Sequence, residues 1–281
     1  MLAVLAGVLA MDWFLEHARV IQVIRPDGAV GVLRGLPVAI VLMLIAAQAV
    51  WEMARFCAAA GVLILGISGV IGAAGLGTLP LWWQFVAAEL TGWTVMGLLS
   101  ALIWMIFIEQ MIARRTADAV RTIACTILTV LYLGVGGAMI LRIRLADPNG
   151  LLKLVMFIAV VKVTDIGAYF TGSAIGRHKL IRWLSPGKSW EGLIGGLTAA
   201  IGTSMLIAHF GDIGIALWSA VVFGVTVGLA GQFGDLCESL FKRSVMLKDS
   251  SSIVPEFGGI LDIIDSPLMA APVACALFAI M

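Results

Sequence analysis

Eight long apolar segments, each with few charged residues, dominate this chain of 281 residues. A helix needs about 20 mostly apolar residues to cross a bilayer. Lipid offers no hydrogen-bond partners, so segments of this length satisfy their backbone N–H and C=O groups by forming helices. The segments comprise residues 36–56, 60–78, 92–112, 119–141, 151–172, 191–210, 213–234 and 261–281. The sequence therefore predicts an all-α polytopic integral membrane protein with eight transmembrane helices, or nine if the apolar N-terminal segment also inserts.

Composition supports this prediction and argues against other classes. Hydrophobic residues make up 61% of the chain and charged residues 12%, against about 25% charged in a typical soluble domain. A net charge of +1 gives no support for a nucleic-acid partner, which would require a concentrated basic surface. The four cysteines are far apart and form neither a CxxC pair nor a secreted disulfide pattern. Since no soluble linker interrupts the segments, we expect residues 1–281 to form a single polytopic membrane domain.

Positive charges indicate how the predicted helices are oriented, because short cytoplasmic loops are enriched in Lys and Arg. The loops on one side hold little more than Arg142, Arg144 and Lys153. The loops and helix flanks on the other side carry Arg55, Arg114, Arg115, Arg121, Arg177, Lys179, Arg182, Lys188, Lys242, Arg243 and Lys248. This second side is predicted to be cytoplasmic. The segment 15–36 has three arginines on the wrong side, which an amphipathic helix at the membrane interface would accommodate.

Acidic residues lie near the cytoplasmic ends of the last two predicted spans. Asp262 and Asp265 are three residues apart and share one helix face, and carboxylates that close repel one another unless a cation lies between them. In the preceding span a polar stripe runs from Asp235 through Glu238 to Lys242. Charged groups inside a membrane are costly and indicate function by default. With only scattered histidines in the chain, hard oxygen ligands for Mg²⁺ fit better than a zinc site.

A second polar group begins in the predicted span 151–172. There Lys162 and Asp165 are three residues apart. They could form a structural pair that neutralises both charges, or they could belong to a functional site. The loop that follows is basic, carries serines and is flanked by glycines. Such a loop suits phosphate groups, and it equally suits anionic lipid headgroups without chemistry. Its GKS sequence is not a P-loop, because Arg182 occupies the position where that motif requires glycine.

Three motifs resemble those of the phosphatidate cytidylyltransferases, also called CDP-diacylglycerol synthases. The segment SLFKRSVMLKDSSSIVPEFGGILDIIDS, residues 239–266, is similar to the family signature, with its Lys-Arg and Lys-Asp pairs and both closing aspartates. DIGAYFTGSAIGRHKL and SPGKSWEG upstream are similar to two further family motifs. The resemblance covers about residue 165 to the C-terminus. We therefore expect residues 151–281 to form the catalytic half, whereas residues 1–150 match only weakly.

This chain departs from the family signature at three positions. Glu256, Phe257 and Ile263 stand where the family commonly has Gly and His before Gly-Gly, and Arg between the two aspartates. These changes remove a fixed positive charge and a candidate proton carrier. We interpret the chain as an active member, because the candidate metal ligands and basic pairs are retained; a divergent member with reduced or changed activity is the alternative.

The resemblance implies a Mg²⁺-dependent nucleotidyltransferase of phospholipid biosynthesis, which transfers the cytidylyl group of CTP to phosphatidic acid and releases pyrophosphate. It implies that Mg²⁺, with or without a second cation, is held by Asp235, Asp262 and Asp265. The implied catalytic residues are Asp235, Lys242, Arg243, Lys248, Asp249, Asp262 and Asp265. The implied substrate-binding residues are Ser185, Lys188, Ser189, Ser239 and Asp165.

The expected partners are CTP from the cytoplasm, phosphatidic acid from the inner leaflet and membrane lipid, without nucleic acid. The resemblance is compatible with a homodimer. The expected location is the cell inner membrane. The active site is expected in a cavity near the cytoplasmic face of that membrane. A transporter or ion-relay protein using Lys162, Asp165 and Asp235 is an alternative, as is a non-catalytic lipid-binding paralogue. The clustering of charge at one face and the lack of an inverted repeat weigh against the transporter.

Overall fold

The chain folds almost entirely into helices. The computed structural model describes residues 2–18, 22–24, 30–32, 34–85, 92–113, 116–244 and 259–281. The helices are α1 (Leu2–His17), α2 (Leu36–Ala59), α3 (Gly66–Trp82), α4 (Gly92–Ile112), α5 (Ala119–Leu145), α6 (Gly150–Ile175), α7 (Trp190–Phe210), α8 (Leu217–Ser244) and α9 (Leu261–Ile280), with a 3₁₀ turn at Trp83–Phe85. Antiparallel pairs join β1 (Gln22–Ile24) to β2 (Val30–Val32) and β3 (Lys179–Ile181) to β4 (Ser185–Ser189). The predicted all-α fold class is confirmed.

Six of the described helices, α2, α4, α5, α7, α8 and α9, are long and apolar enough to cross a membrane. The chain is thus a multi-pass membrane protein, as predicted. Helix α3 is apolar but has 17 residues, and the 26-residue α6, with three charged side chains, is not among the six. The expected total of eight or nine crossings stays a prediction.

The N-terminal region differs from the expected interfacial helix across residues 15–36. Helix α1 ends at His17, and the described parts of the next segment form the β1–β2 hairpin. The sequence between these strands reads RPDGA, and a Pro-Asp-Gly run favours a turn over a continuous helix. The prediction of an amphipathic helix here was wrong because it considered the three arginines and overlooked the turn residues.

Two compact units divide the chain, Met1–Leu145 and Ala146–Met281. In the first unit α3 packs against α5 and α2, and in the second α7 packs between α6 and α8 while α9 packs on α8. The expected single polytopic domain, with a catalytic half at residues 151–281, stays a prediction.

A buried arginine in the first unit is closely paired with two carboxylates. Arg144 is fully buried and contacts both Asp12, 2% exposed, and Glu16. Glu16 also lies 2.9 Å from the Nε of Arg34. These contacts connect α1, α5 and the residues before α2, so charge inside this unit is used for packing.

Glycines bring the helices of the second unit into close contact. A Cβ at Gly196 would lie 2.6 Å from the carbonyl oxygen of Thr164, and one at Gly192 would lie 2.8 Å from that of Ala168. Small residues four apart allow two membrane helices to approach closely. At Gly234 an added Cβ would lie 2.8 Å from the carbonyl oxygen of Asp265. The absence of a side chain at Gly234 therefore allows α8 and α9 to meet beside the acidic residues.

Candidate functional site

Three carboxylates from two helices meet in the second unit. Asp235 and Glu238 lie on α8 and Asp265 lies on α9, and a carboxylate oxygen of each lies within 4.8 Å of the others. Glu238 and Asp265 are each 3% exposed, whereas Asp235 is half-buried. Buried carboxylates this close need a cation or protons between them. Hard oxygen donors in this arrangement are the ligand type that Mg²⁺ prefers, so the donor set fits the expected metal.

Lys242 connects this acidic group to Asp262. Its Nζ lies 2.9 Å from Glu238 Oε1 and 3.0 Å from Asp262 Oδ1. The other oxygen of Asp262 accepts a hydrogen bond of 2.9 Å from the backbone N–H of Gly259, just before α9. The structure therefore brings Asp235 and Asp265 together, as the sequence suggests, and places Glu238 with them. It places Asp262 opposite Lys242, at the edge of the group.

A polar chain leads away from Asp235 toward α6. Lys188 Nζ lies 2.6 Å from Asp235 Oδ2 and 3.0 Å from Gln232 Oε1. The amide nitrogen of Gln232 donates a 3.0 Å hydrogen bond to Asp165 Oδ1. Three of these residues, Asp165, Lys188 and Asp235, are predicted site residues from three separate segments, and Gln232 connects them.

A cavity of about 530 Å³ opens beside these side chains, within the range of about 300–1,000 Å³ that is usual for small-molecule sites. Its polar lining includes Asp165, Lys179, Lys188, Gln232 and Asp235. Ser189, Tyr169, Leu193 and several glycines also line the cavity. Asp235 belongs to both the cavity and the acidic group, so a molecule in the cavity would lie next to the carboxylates.

Glu191 holds the β3–β4 hairpin against the start of α7. Its carboxylate accepts hydrogen bonds of 3.2 Å from the backbone N–H groups of Arg177 and His178, and it lies 2.6 Å from His178 Nδ1. Ser189 accepts a 3.1 Å bond from the backbone of Gly192 as the N-cap of α7. These contacts fix both ends of the segment that carries Lys188.

The other predicted site residues lie outside the acidic group and the polar chain from Asp235 to Asp165. Arg243 is exposed and donates a 3.3 Å bond to the carbonyl of Leu184 in the hairpin. Ser185 begins β4, and Ser239 lies half-buried on α8. Four residues singled out in or beside the family signature lie outside the described residues, and they are Lys248, Asp249, Glu256 and Phe257.

Sequence reasoning left Glu238, Gln232 and Glu191 out of the site. A signal was available for the first two: Gln232, Asp235 and Glu238 recur every three residues on α8, a spacing that places them on one helix face. Glu191 had only its place in the SPGKSWEG motif, because its partners lie 13 and 14 residues away in the preceding turn.

Fold and site together define a multi-pass membrane protein with an acidic group beside a polar cavity. A family model described as the cytidylyltransferase family matches residues 27–281. The chain belongs to the cytidylyltransferase family, and the expected membership is confirmed.

Curated relatives named phosphatidate cytidylyltransferase match part of the chain. The protein of Haemophilus influenzae is 42% identical over 144 residues, which cover 47% of this chain and 49% of the relative. The protein of Staphylococcus saprophyticus is 38% identical over 149 residues, covering 53% and 56%, and that of Staphylococcus aureus is 38% identical over 151 residues, with the same shares. The chain thus spans about half the length of the curated relatives it matches.

Proposed function

We propose that this protein transfers the cytidylyl group of CTP to phosphatidate, giving CDP-diacylglycerol and pyrophosphate for phospholipid biosynthesis. The observation that carries this proposal is the group of Asp235, Glu238 and Asp265, the last two buried, beside a cavity lined by Lys188. Membership of the cytidylyltransferase family and relatives named phosphatidate cytidylyltransferase support the choice of reaction and of both substrates.

We assign Mg²⁺ to the acidic group, with Asp235, Glu238 and Asp265 as ligands and Asp262 as a fourth candidate once Lys242 turns toward a phosphate. When bound there, Mg²⁺ would offset the repulsion between the two anionic substrates and stabilise the charge of the transferring phosphoryl group. A second cation stays a prediction. The fit rests on the donor chemistry, since the three carboxylates supply oxygen ligands on two rigid helices.

The reaction joins a phosphate oxygen of phosphatidate to the α-phosphorus of CTP. The bond from that phosphorus to the oxygen bridging the β-phosphate breaks, and pyrophosphate leaves with the electron pair. We propose that Lys188 and Lys242 bind the phosphates; the proximity of each ammonium to a site carboxylate, within 3.0 Å, supports this assignment. Glu191, through the hairpin, positions Lys188, and Arg243, bonded to the hairpin carbonyl of Leu184, supports it from α8.

The remaining sequence predictions fit this proposal. A site facing the cytoplasm of the cell inner membrane would receive CTP directly and phosphatidate from the adjoining leaflet. The C-terminal end of α8, with Lys242 and Arg243, and the hairpin with Lys179 and Lys188 lie at one end of the second unit. That concentration of positive charge supports a cytoplasmic position.

The test uses the full chain purified in detergent, with CTP, phosphatidate and a titration of Mg²⁺. We expect pyrophosphate and CDP-diacylglycerol in equal amounts, and loss of both when a chelator removes the metal. A folded protein that yields neither product with Mg²⁺ or Mn²⁺ would contradict the proposed reaction. It would favour a lipid-binding paralogue, whereas a transporter remains disfavoured by the family assignment.

A further inference from the structure

Lys162 lies in the apolar run of α6, outside the acidic group of Asp235, Glu238 and Asp265. Its side chain is 24% exposed, and its Nζ lies 2.7 Å from the backbone carbonyl oxygen of Ile263 on α9. Asp165 Oδ2 lies 4.0 Å from the same ammonium. The short contact of this ammonium is therefore with a backbone carbonyl, which is one of the partners that charged groups take inside a membrane protein.

The sequence of α9 explains why that carbonyl needs a donor. Pro267 lies four residues after Ile263, inside the helix. Proline has no N–H, so the carbonyl four residues before it loses its normal helical hydrogen bond, and the ring crowds it. Lipid offers no replacement donor. Lys162 supplies the missing donor from a neighbouring helix.

The bond between Lys162 and Ile263 acts on the acidic group through the backbone. Ile263 is two residues before Asp265, in the first turns of α9. Gly234 of α8 lies against the carbonyl of Asp265. The turn that carries Asp265 is thus held from α6 by a hydrogen bond and from α8 by direct backbone packing.

We propose that Lys162 is a positioning residue, which holds the proline-interrupted turn of α9 so that Asp265 stays aligned with Asp235 and Glu238 for cation binding. This inference rests on the proposed function for its catalytic consequence. Its effect on cation binding is independent of the reaction. The ammonium also places a positive charge at the turn where this chain has Ile263 in place of arginine.

The test measures Mn²⁺ binding to the full-length protein in detergent by electron paramagnetic resonance, without substrate. Supporting partners of metal ligands typically contribute about 10- to 100-fold in metal affinity, and we expect Lys162→Met to weaken Mn²⁺ binding about tenfold. We expect kcat to fall by a similar factor, with the KM for CTP changed by less than about twofold. Unchanged Mn²⁺ affinity in a folded Lys162→Met protein would overturn the inference.

A double-mutant cycle tests the role of the proline directly. Pro267→Ala restores a backbone N–H for the Ile263 carbonyl, so the loss caused by Lys162→Met should shrink to about threefold or less in the Pro267→Ala background. Independent effects, with the same tenfold loss in both backgrounds, would show that Lys162 does not act through this carbonyl. If Lys162→Met alone does not fold, recovery of folding and Mn²⁺ binding in the double variant supports the link, and failure to recover contradicts it.

Two lysine variants serve as controls. Lys162→Arg retains a charged donor and should bind Mn²⁺ within about threefold of the unchanged protein. Lys153→Met lies on the same helix, where Lys153 pairs with Asp147, and should leave Mn²⁺ binding unchanged. A wild-type protein that binds Mn²⁺ but forms no CDP-diacylglycerol would contradict the proposed reaction alone, because the Lys162 comparison needs no turnover.

Discussion

The two units bury charge in different ways. In Met1–Leu145, the buried Arg144 and the half-buried Arg34 are matched by Asp12 and Glu16, two positive charges against two negative. In Ala146–Met281, three lysines face five carboxylates around α8, and this site comprises Lys162, Lys188, Lys242, Asp165, Asp235, Glu238, Asp262 and Asp265. The second group therefore carries a formal excess of two negative charges when all its members are ionised.

This difference separates a structural use of charge from a functional one. A balanced buried group needs no further partner, and breaking it mainly destabilises the fold. An unbalanced group beside a cavity is stable when a ligand of opposite charge completes it, and such groups are concentrated at functional sites. The excess of two negative charges corresponds to one divalent cation.

The largest expected effect comes from removing one charge of the unbalanced group. Asp265→Asn keeps the shape of the side chain and removes a buried candidate metal ligand, so turnover should fall by at least about 10³-fold, or about 4 kcal/mol of activation free energy. Product formation from CTP and phosphatidate at saturating Mg²⁺ measures this loss.

The thermal midpoint of the same Asp265→Asn variant provides the control. Without divalent cation it should equal or exceed that of the unchanged protein, because one source of repulsion between carboxylates is gone. A variant that loses activity only because it unfolds would show that Asp265 serves packing, and the distinction between the two units would then fail.

The balanced group of Arg144, Arg34, Asp12 and Glu16 should affect stability more than turnover. Arg144→Met leaves the buried Asp12 without its arginine partner and removes one of the two arginines that contact Glu16, and breaking a buried ion pair from one side costs about 3–5 kcal/mol. We expect a large fall in the midpoint of unfolding, measured by heat or denaturant, while kcat per folded molecule changes by less than about twofold.

An exposed arginine tests whether the loss of stability expected for Arg144→Met depends on burial. Arg121 pairs with Asp118 at 3.3 Å on α5, with 73% of its side chain exposed, and exposed pairs contribute about 0–1 kcal/mol. Arg121→Met should therefore leave the unfolding midpoint nearly unchanged. Equal losses for Arg121→Met and Arg144→Met would contradict the structural role assigned to the buried group.

A smaller effect should follow from separating the two helices that hold the carboxylates. In Gly234→Ala the new Cβ would lie 2.8 Å from the Asp265 carbonyl and 2.9 Å from the Cα of Ser266, so α8 and α9 must move apart. Because small displacements in a site can cost about 10²-fold, we expect a 10- to 100-fold loss of turnover in the CTP assay.

Gly202 provides the control for Gly234. It lies inside α7, and nothing lies within 4 Å of a Cβ added there. Gly202→Ala should leave turnover unchanged and stabilise the helix by about 0.5–1 kcal/mol. Similar activity in both alanine variants would show that the close approach of α8 and α9 at Gly234 is not needed.

The helices were predictable because hydrophobic runs of about 20 residues have one main solution in a membrane. Their ends were less predictable. The predicted span 213–234 stops where hydropathy falls, yet α8 continues to Ser244, because Glu, Leu and Lys favour helix without regard to lipid. Helix α3 begins at Gly66 and not at residue 60, since Gly61 has a left-handed backbone conformation, with φ of 74°, after α2.

The site was predictable where residues share a helix or a motif. Asp265 lies in the family signature, Asp235 lies four residues before its start, and Glu238 follows Asp235 at a spacing that shares a helix face. The bond from Gln232 to Asp165 joins residues 67 apart, and that from Lys162 to Ile263 joins residues 101 apart. Helical periodicity gives no information on such pairs, because they depend on which helices pack together.

The smallest expected effect concerns the hairpin that carries Lys188. Glu191→Ala removes an acceptor used by two backbone N–H groups and by His178, so Lys188 should lose part of its fixed position while the acidic group stays intact. We expect the KM for CTP to rise about three- to tenfold with kcat changed by less than about twofold. His178→Ala removes one of these contacts and should have a smaller effect. If Glu191→Ala instead lowers kcat as strongly as Asp265→Asn, the hairpin takes part in the chemistry, and the unbalanced charge around α8 does not alone define the site.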